Sequence, residues 1–247
     1  MEDLRLDIDA PNEKTKRIGA VALENKAPGE SQINPDLKTR AIMFLNKYGK
    51  MLAFFAAKAG NRKLNFAPSL NDDGFAFDAS ACKVVAPISW FADERYNDHE
   101  LLFANFHEIG HFLDMRTNPN AYLENFDYME KKSESLAKDY AAKHSNALPY
   151  EKMKKKYYKE LHDLYNVLDD IYVNNLVFQC NKFFDSGDGR EDVETLYEKL
   201  GFSDADLTDL PLHRQFIMSL LRDEMLGKTH GESVVDERVS SVLSRPL

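Results

Sequence analysis

The chain has 247 residues, with 32 basic against 41 acidic side chains, a net charge of -9 at neutral pH and 43% hydrophobic residues. That acidic balance excludes the broad basic face needed to neutralise phosphates, so no nucleic-acid partner is expected, and without a run of about eighteen apolar residues no membrane partner is expected either. The segment Met1–Lys26 has no apolar core of signal-peptide length, and two cysteines, Cys82 and Cys180, are too few for a disulfide framework; a cytoplasmic location is the expectation.

Residues 1–33 are polar and carry Pro11, Pro28 and Gly29, which predicts an extended or poorly ordered lead-in; residues 34–247 read as one domain. Asn34-Pro35 reads as a cap and first-turn proline for an amphipathic helix running to Gly60 along Ala41, Phe44, Leu45, Tyr48, Met51, Leu52 and Phe55. Three β-prone runs follow, 64–67, 75–77 and 84–91, separated by turn formers such as Asn71-Asp72-Asp73-Gly74. Pro87 within the third run predicts an edge strand, whose unpaired backbone groups could hold an extended peptide. Asn97 or Asp98 can cap the next helix, with Glu100 placed for a capping box, and Leu102, Phe103, Phe106, Gly110 and Leu113 recur at helical spacing until Asn118-Pro119-Asn120. A linking helical region then runs to about Ser145, and Pro149 precedes a long helix reaching Phe184. The fold class predicted is α+β and mainly helical, with a small sheet on the N-terminal side and a helical C-terminal part.

Inside the buried helix stands His107-Glu108-Ile109-Gly110-His111. Histidines at i and i+4 share one helix face, so their ring nitrogens can grip one cation; Glu108 stands beside that metal without binding it, placed to take a proton from water and hand it to a leaving amine. A pair of histidines satisfied by core hydrogen bonds is the simpler alternative, yet three ionisable groups on so apolar a helix are costly without a metal. Catalytic zinc takes three protein ligands as a rule, so a third is to be found elsewhere. In the long helix, Leu161, Leu164, Leu168 and Ile171 predict the apolar stripe, while His162, Asn166, Asp170 and Asn174 recur every four residues beside it. A solvated face is ordinarily rich in Lys and Glu, so this second stripe predicts the other half of a metal site.

The HEIGH segment resembles the zincin superfamily of zinc metallopeptidases, in which a downstream helix supplies the third ligand. Residues 165–174, an N-x-x-x-D-x-x-x-N pattern, are similar to a segment of bacterial metallopeptidase domains associated with von Willebrand-type modules. By position the likeness implies His107, His111 and Asp170 as ligands of one Zn2+ per chain, Glu108 as the general base, Asn166 and Asn174 as supports, and a peptide or protein substrate. Asp169 remains the alternative carboxylate, because related segments carry Glu-Asp there, and Glu130 or Glu134 could serve instead. An astacin-like continuation is excluded, since Asp114 and Thr117 stand where it needs glycine and histidine. Asp114, on the histidine face, could hydrogen-bond an imidazole or compete as a ligand, as HEIGHFLD resembles toxin-type zincins with aspartate here. The rival class is a catalytically silent zincin-fold protein that binds a partner.

Weaker signals read as structural. Asp185-Ser186-Gly187-Asp188-Gly189 lacks the ligand order of a calcium loop and predicts a turn; Lys152, Lys154, Lys155 and Lys156 predict a solvated face; His99, His144, His213 and His230 have no partner pattern; Tyr165 and Tyr172 predict packing.

Overall fold

The computed structural model describes residues 35–57, 65–69, 74–78, 81, 83–144 and 149–244; the lead-in expected over 1–33 and Cys82 lie outside them. Helix α1 (Pro35–Ala57) buries Ala41, Phe44, Leu52, Phe55 and Ala56, the three-four spacing of one face, while Met51 turns outward at 40% exposure. Arg40 on its flank donates to the carbonyls of Phe91 (2.7 Å) and Tyr96 (2.8 Å), tying it to the loop before the motif helix.

Strands β1 (Asn65–Ser69), β2 (Ala76–Asp78) and β3 (Lys83–Pro87) form a three-stranded sheet in the order β1-β3-β2, with β1 parallel and β2 antiparallel to β3. Two expectations are corrected here. The third run ends as a strand at Pro87, and Ile88–Ala92 form the short helix α2. Moreover β3 is the central strand, so Pro87 does not mark an edge; it closes the ladder opposite Ser69, where a missing N–H disrupts least. The edge that borders the motif helix is β2, whose Phe77 ring packs 4.8 Å from that of Phe112.

Helix α3 (Asp98–Thr117) starts on a complete capping box: the Asn97 side chain accepts from the backbone of His99 and Glu100, and Glu100 accepts from the backbone of Asn97. Glu100 is fully buried and also receives Lys199, so the cap is anchored to the C-terminal half. Along α3, Leu101, Phe103, Phe106 and Ile109 are almost completely buried, and the rings of Phe103 and Phe106 continue through Phe178 and Phe184 into one aromatic core.

Helix α4 (Pro119–Lys143) returns, and α5 (Tyr150–Cys180) is the long helix. The latter stops four residues short of the predicted end because Asn181 leaves helical geometry and its side chain caps the short α6 (Lys182–Asp185). Helix α7 (Asp188–Tyr197), a π-helical turn over Glu198–Phe202, α8 (Leu212–His230) and α9 (Glu237–Leu243) complete the described chain. The α5 stripe also needs correction. Leu168 is 49% exposed and Leu161, Leu164 and Ile171 only half-buried, whereas Val167, Val173, Val177 and Phe178 are buried together with Asn166, Asp169, Asp170 and Asn174. The polar stripe faces inward because α5 lays that side against α3.

Gly110 sets how close the two helices come. A Cβ there would lie 2.5 Å from Val173 Cγ1, and a β-branched side chain on a helix has little rotamer freedom to retreat. The protein is thus mainly helical with a small sheet, and no helix among the described residues is long and apolar enough to cross a membrane. Gly110→Val is expected to destabilise the protein by about 3 kcal/mol, the upper range for overpacking, with Val173→Ala added in the double variant recovering part of it. Chemical denaturation measures both; an unchanged midpoint for Gly110→Val would show that the helices are not in contact there.

Candidate metal centre

His107 and His111 stand one turn apart on α3 with ring planes at 90° and centroids 4.5 Å apart. Their Nε2 atoms are 3.0 Å from each other, and Asp170 Oδ1 of α5 lies 3.4 Å from the first and 3.2 Å from the second. Among the described residues these three form a cluster whose candidate ligand atoms all lie within 4.8 Å of one another. The helix period accounts for the pairing: α3 offers positions i and i+4, and the polar stripe of α5 meets them across Gly110.

The opposite ring nitrogens decide the chemistry. His107 Nδ1 lies 2.8 Å from Asn174 Oδ1, and His111 Nδ1 lies 2.9 Å from Asp169 Oδ2. Both oxygens are acceptors, so each Nδ1 carries the proton and a neutral ring then presents a lone pair at Nε2. Two lone pairs and a carboxylate oxygen therefore converge in a space where His111 and Asp170 side chains are only 6% and 12% exposed. Asp170 Oδ1 is buried without a hydrogen-bond partner, although both imidazoles lie within ion-pair distance. Such a cluster is stable only around positive charge. In the metal-free chain a proton supplies it: burial disfavours charge on His111, yet Asp169 and Asp170 outweigh that and push its pKa up to about 10. Burial raises Asp170, but His107 and His111 outweigh it and hold the carboxyl well below the usual carboxylate range. Two imidazole nitrogens and one carboxylate oxygen fit Zn2+.

Glu108 stands outside the three-donor cluster, 3% exposed, with Oε2 buried and unpartnered. Burial, opposed by the two imidazoles, pushes its pKa up to about 7, and the backbone of Phe77 on β2 hydrogen-bonds it.

The supports differ in part from expectation. Asn174 does hold His107, but Asn166 does not reach an imidazole of the motif; its amide donates to His162 Nδ1 at 3.2 Å. The residue on His111 is Asp169. Successive helix positions step by about 100°, so 169 and 170 straddle the His111 ring, one at Nδ1 and one at Nε2. Asp114 is corrected likewise: it accepts from Asn118 at 2.7 Å and hydrogen-bonds the Tyr172 side chain. Glu130 pairs with Lys154 at 2.6 Å and Glu134 with Lys138 at 3.2 Å, which occupies both alternative glutamates on the α4–α5 surface and accounts for part of the lysine run. His99 contacts Asp192, His230 contacts Glu198, and Tyr165 packs on Tyr122 and Phe126. Gly187 takes φ 60° and precedes α7, so within the Asp185–Gly189 stretch only Ser186 and Gly187 form the turn, joining the end of α6 to the start of α7.

Three participants carried no sequence signal. Tyr122 at the start of α4 donates to both Asp169 oxygens (3.1 and 3.3 Å), and Asn174 Nδ2 donates to Tyr197 Oη (2.6 Å) and Met225 Sδ (3.4 Å). They belong to three different helices, joined to the site only by tertiary packing. An apolar cavity of about 470 Å³, walled by Leu136, Leu161, Leu164, Phe216 and Ile217, shares no residue with the metal cluster.

The proton demand has a measurable sign. His111 and Glu108 both have folded pKa values above the unfolded ones, so in the metal-free protein their contribution is fully present below pH 6.5 and 4.5 and lost as pH rises through about 10 and about 7. Asp170, lowered from 3.8, contributes fully above that pH and leaves the window unchanged. The thermal midpoint of chelator-treated protein should fall between pH 6.5 and 10, and saturating zinc should flatten that fall; parallel curves would mean that proton and metal do not compete for the same atoms. No family model, no curated protein and no solved structure matches the chain.

Proposed function

We propose that the protein is a zinc-dependent peptidase of the zincin type acting on peptide or protein substrates. The observation that carries this reading is the pairing of a three-donor cluster with a buried, unpartnered Glu108 Oε2 that the cluster does not use. A structural zinc site closes with four protein ligands, whereas a catalytic one keeps a position free. His107, His111 and Asp170 would hold the metal, with Asn174 and Asp169 fixing the imidazoles by their Nδ1 protons. Zinc held there supplies Lewis acidity, lowering the pKa of water and polarising a carbonyl. Glu108 takes the proton of the attacking water at its carboxylate and returns it to the leaving amine, work suited to a carboxyl whose pKa stands near neutrality. Edge strand β2, beside α3, offers backbone groups to an extended substrate.

Glu108→Gln retains shape and removes the base. It should keep its zinc while peptide hydrolysis falls at least ~100-fold, read by mass spectrometry of peptide-library digests run in parallel with wild type. Should zinc-loaded wild type cleave no peptide that Glu108→Gln leaves intact, a catalytically silent, partner-binding protein would replace this reading. The two carboxylates are separated by a second measurement: Asp170→Ala should weaken zinc affinity more than Asp169→Ala, since one removes a ligand and the other an orienting contact. The reverse order would transfer the ligand role to Asp169.

A further inference from the structure

The Asn174 carboxamide is fully buried and can sit in two ways. With Oδ1 toward His107 it accepts the Nδ1 proton and leaves the Nε2 lone pair facing His111 and Asp170. Flipped, its NH2 would donate to Nδ1, drive the ring proton to Nε2 and block the atom that must bind a metal. Asp170 Oδ1, 3.4 Å from Nε2, can accept that proton, so the ring itself permits both tautomers and the partner on the other side of the amide tips the choice. Tyr197 Oη, 2.6 Å away, is indifferent, because a hydroxyl donates to an oxygen as readily as it accepts from an NH2. Met225 Sδ, 3.4 Å away, is not, because a thioether accepts and cannot donate. Turning Oδ1 toward sulfur would set two acceptors against each other in a pocket where Met225 is 1% and Tyr197 7% exposed.

We propose that Met225 locks the tautomer of His107 through Asn174, so that the C-terminal helix α8 fixes the metal-binding state of a histidine on α3. Met225 is a positioning residue, acting through Asn174. The consequence for zinc affinity rests on the zinc reading above, whereas the tautomer itself does not.

The test uses the full chain labelled with 15N-histidine. In wild type, free of zinc and over the pH range where the ring is neutral, His107 should show the Nδ1–H tautomer alone. Met225→Leu keeps the volume of the side chain and removes the sulfur acceptor, so the amide should populate both orientations and an Nε2–H signal should appear. Zinc titration against a competing chelator should then show the apparent Kd of Met225→Leu raised by the inverse of its remaining Nδ1–H fraction, about twofold for equal populations. Adding Asn174→Asp should restore the single tautomer, because a carboxylate cannot donate; recovery of the signal separates a tautomer effect from general loosening of the core. A single Nδ1–H tautomer in Met225→Leu would overturn the lock. Tautomer mixing without the matching change in Kd would overturn its link to the metal, and a wild type that shows the locked tautomer but takes up no zinc would overturn the zinc reading while upholding the lock.

Discussion

Everything at the centre of this protein depends on how closely α5 lies against α3. Gly110, within the motif, leaves no side chain between the helices, and a Cβ there would lie only 2.5 Å from Val173 Cγ1. That approach puts Asp169, Asp170 and Asn174 within hydrogen-bond or ion-pair reach of two imidazoles. It also buries three carboxyl groups, Glu108, Asp169 and Asp170, in one small volume. Carboxylates so enclosed are costly unless a positive charge stands among them. The shifted groups answer that demand in the same sense, with His111 retaining its proton and Asp170 giving its own up.

A metal replaces the shared proton in the proposed function, and the surrounding contacts would serve that exchange. Each Nδ1 proton is held by an oxygen, and each oxygen belongs to a side chain restrained by a further helix: Asp169 by Tyr122 of α4, Asn174 by Tyr197 of α7 and Met225 of α8. The capping box of α3 is tied in the same way, through Glu100 to Lys199. Contacts from several helices thus converge on two rings. The apolar cavity beside Leu161 and Phe216 lies apart from these contacts.

Much of this was legible in the sequence, for physical reasons. Helix α3 announced itself through Asn97, Glu100 and the apolar repeat, because capping and burial are local and periodic. The inward polar stripe of α5 was visible since histidine, asparagine and aspartate are unusual on a solvated face, and Asp170 is found where that stripe placed it. What failed was what depends on a neighbour. Leu168 looks like core and is half exposed, because hydrophobicity does not say which of two faces meets α3. Pro87 suggested an edge, but strand order is set by β1 returning beside β3, which the run itself does not encode. Asp169, expected only as an alternative ligand, holds His111 Nδ1 in place of the support expected from Asn166, because a single residue step on α5 selects which side of the His111 ring is touched. Tyr122, Tyr197 and Met225 are ordinary core residues in sequence and acquire meaning only at the packed site.

Zinc-edge X-ray absorption on the purified protein reads whether the two motif imidazoles and one carboxylate of α5 share a zinc ion. One zinc per chain is expected, with two nitrogen scatterers at about 2.0–2.1 Å and oxygen making up the rest, and loss of that signal in His111→Ala. Protein that retains no zinc, or zinc bound through sulfur or unaffected by His111→Ala, would contradict it.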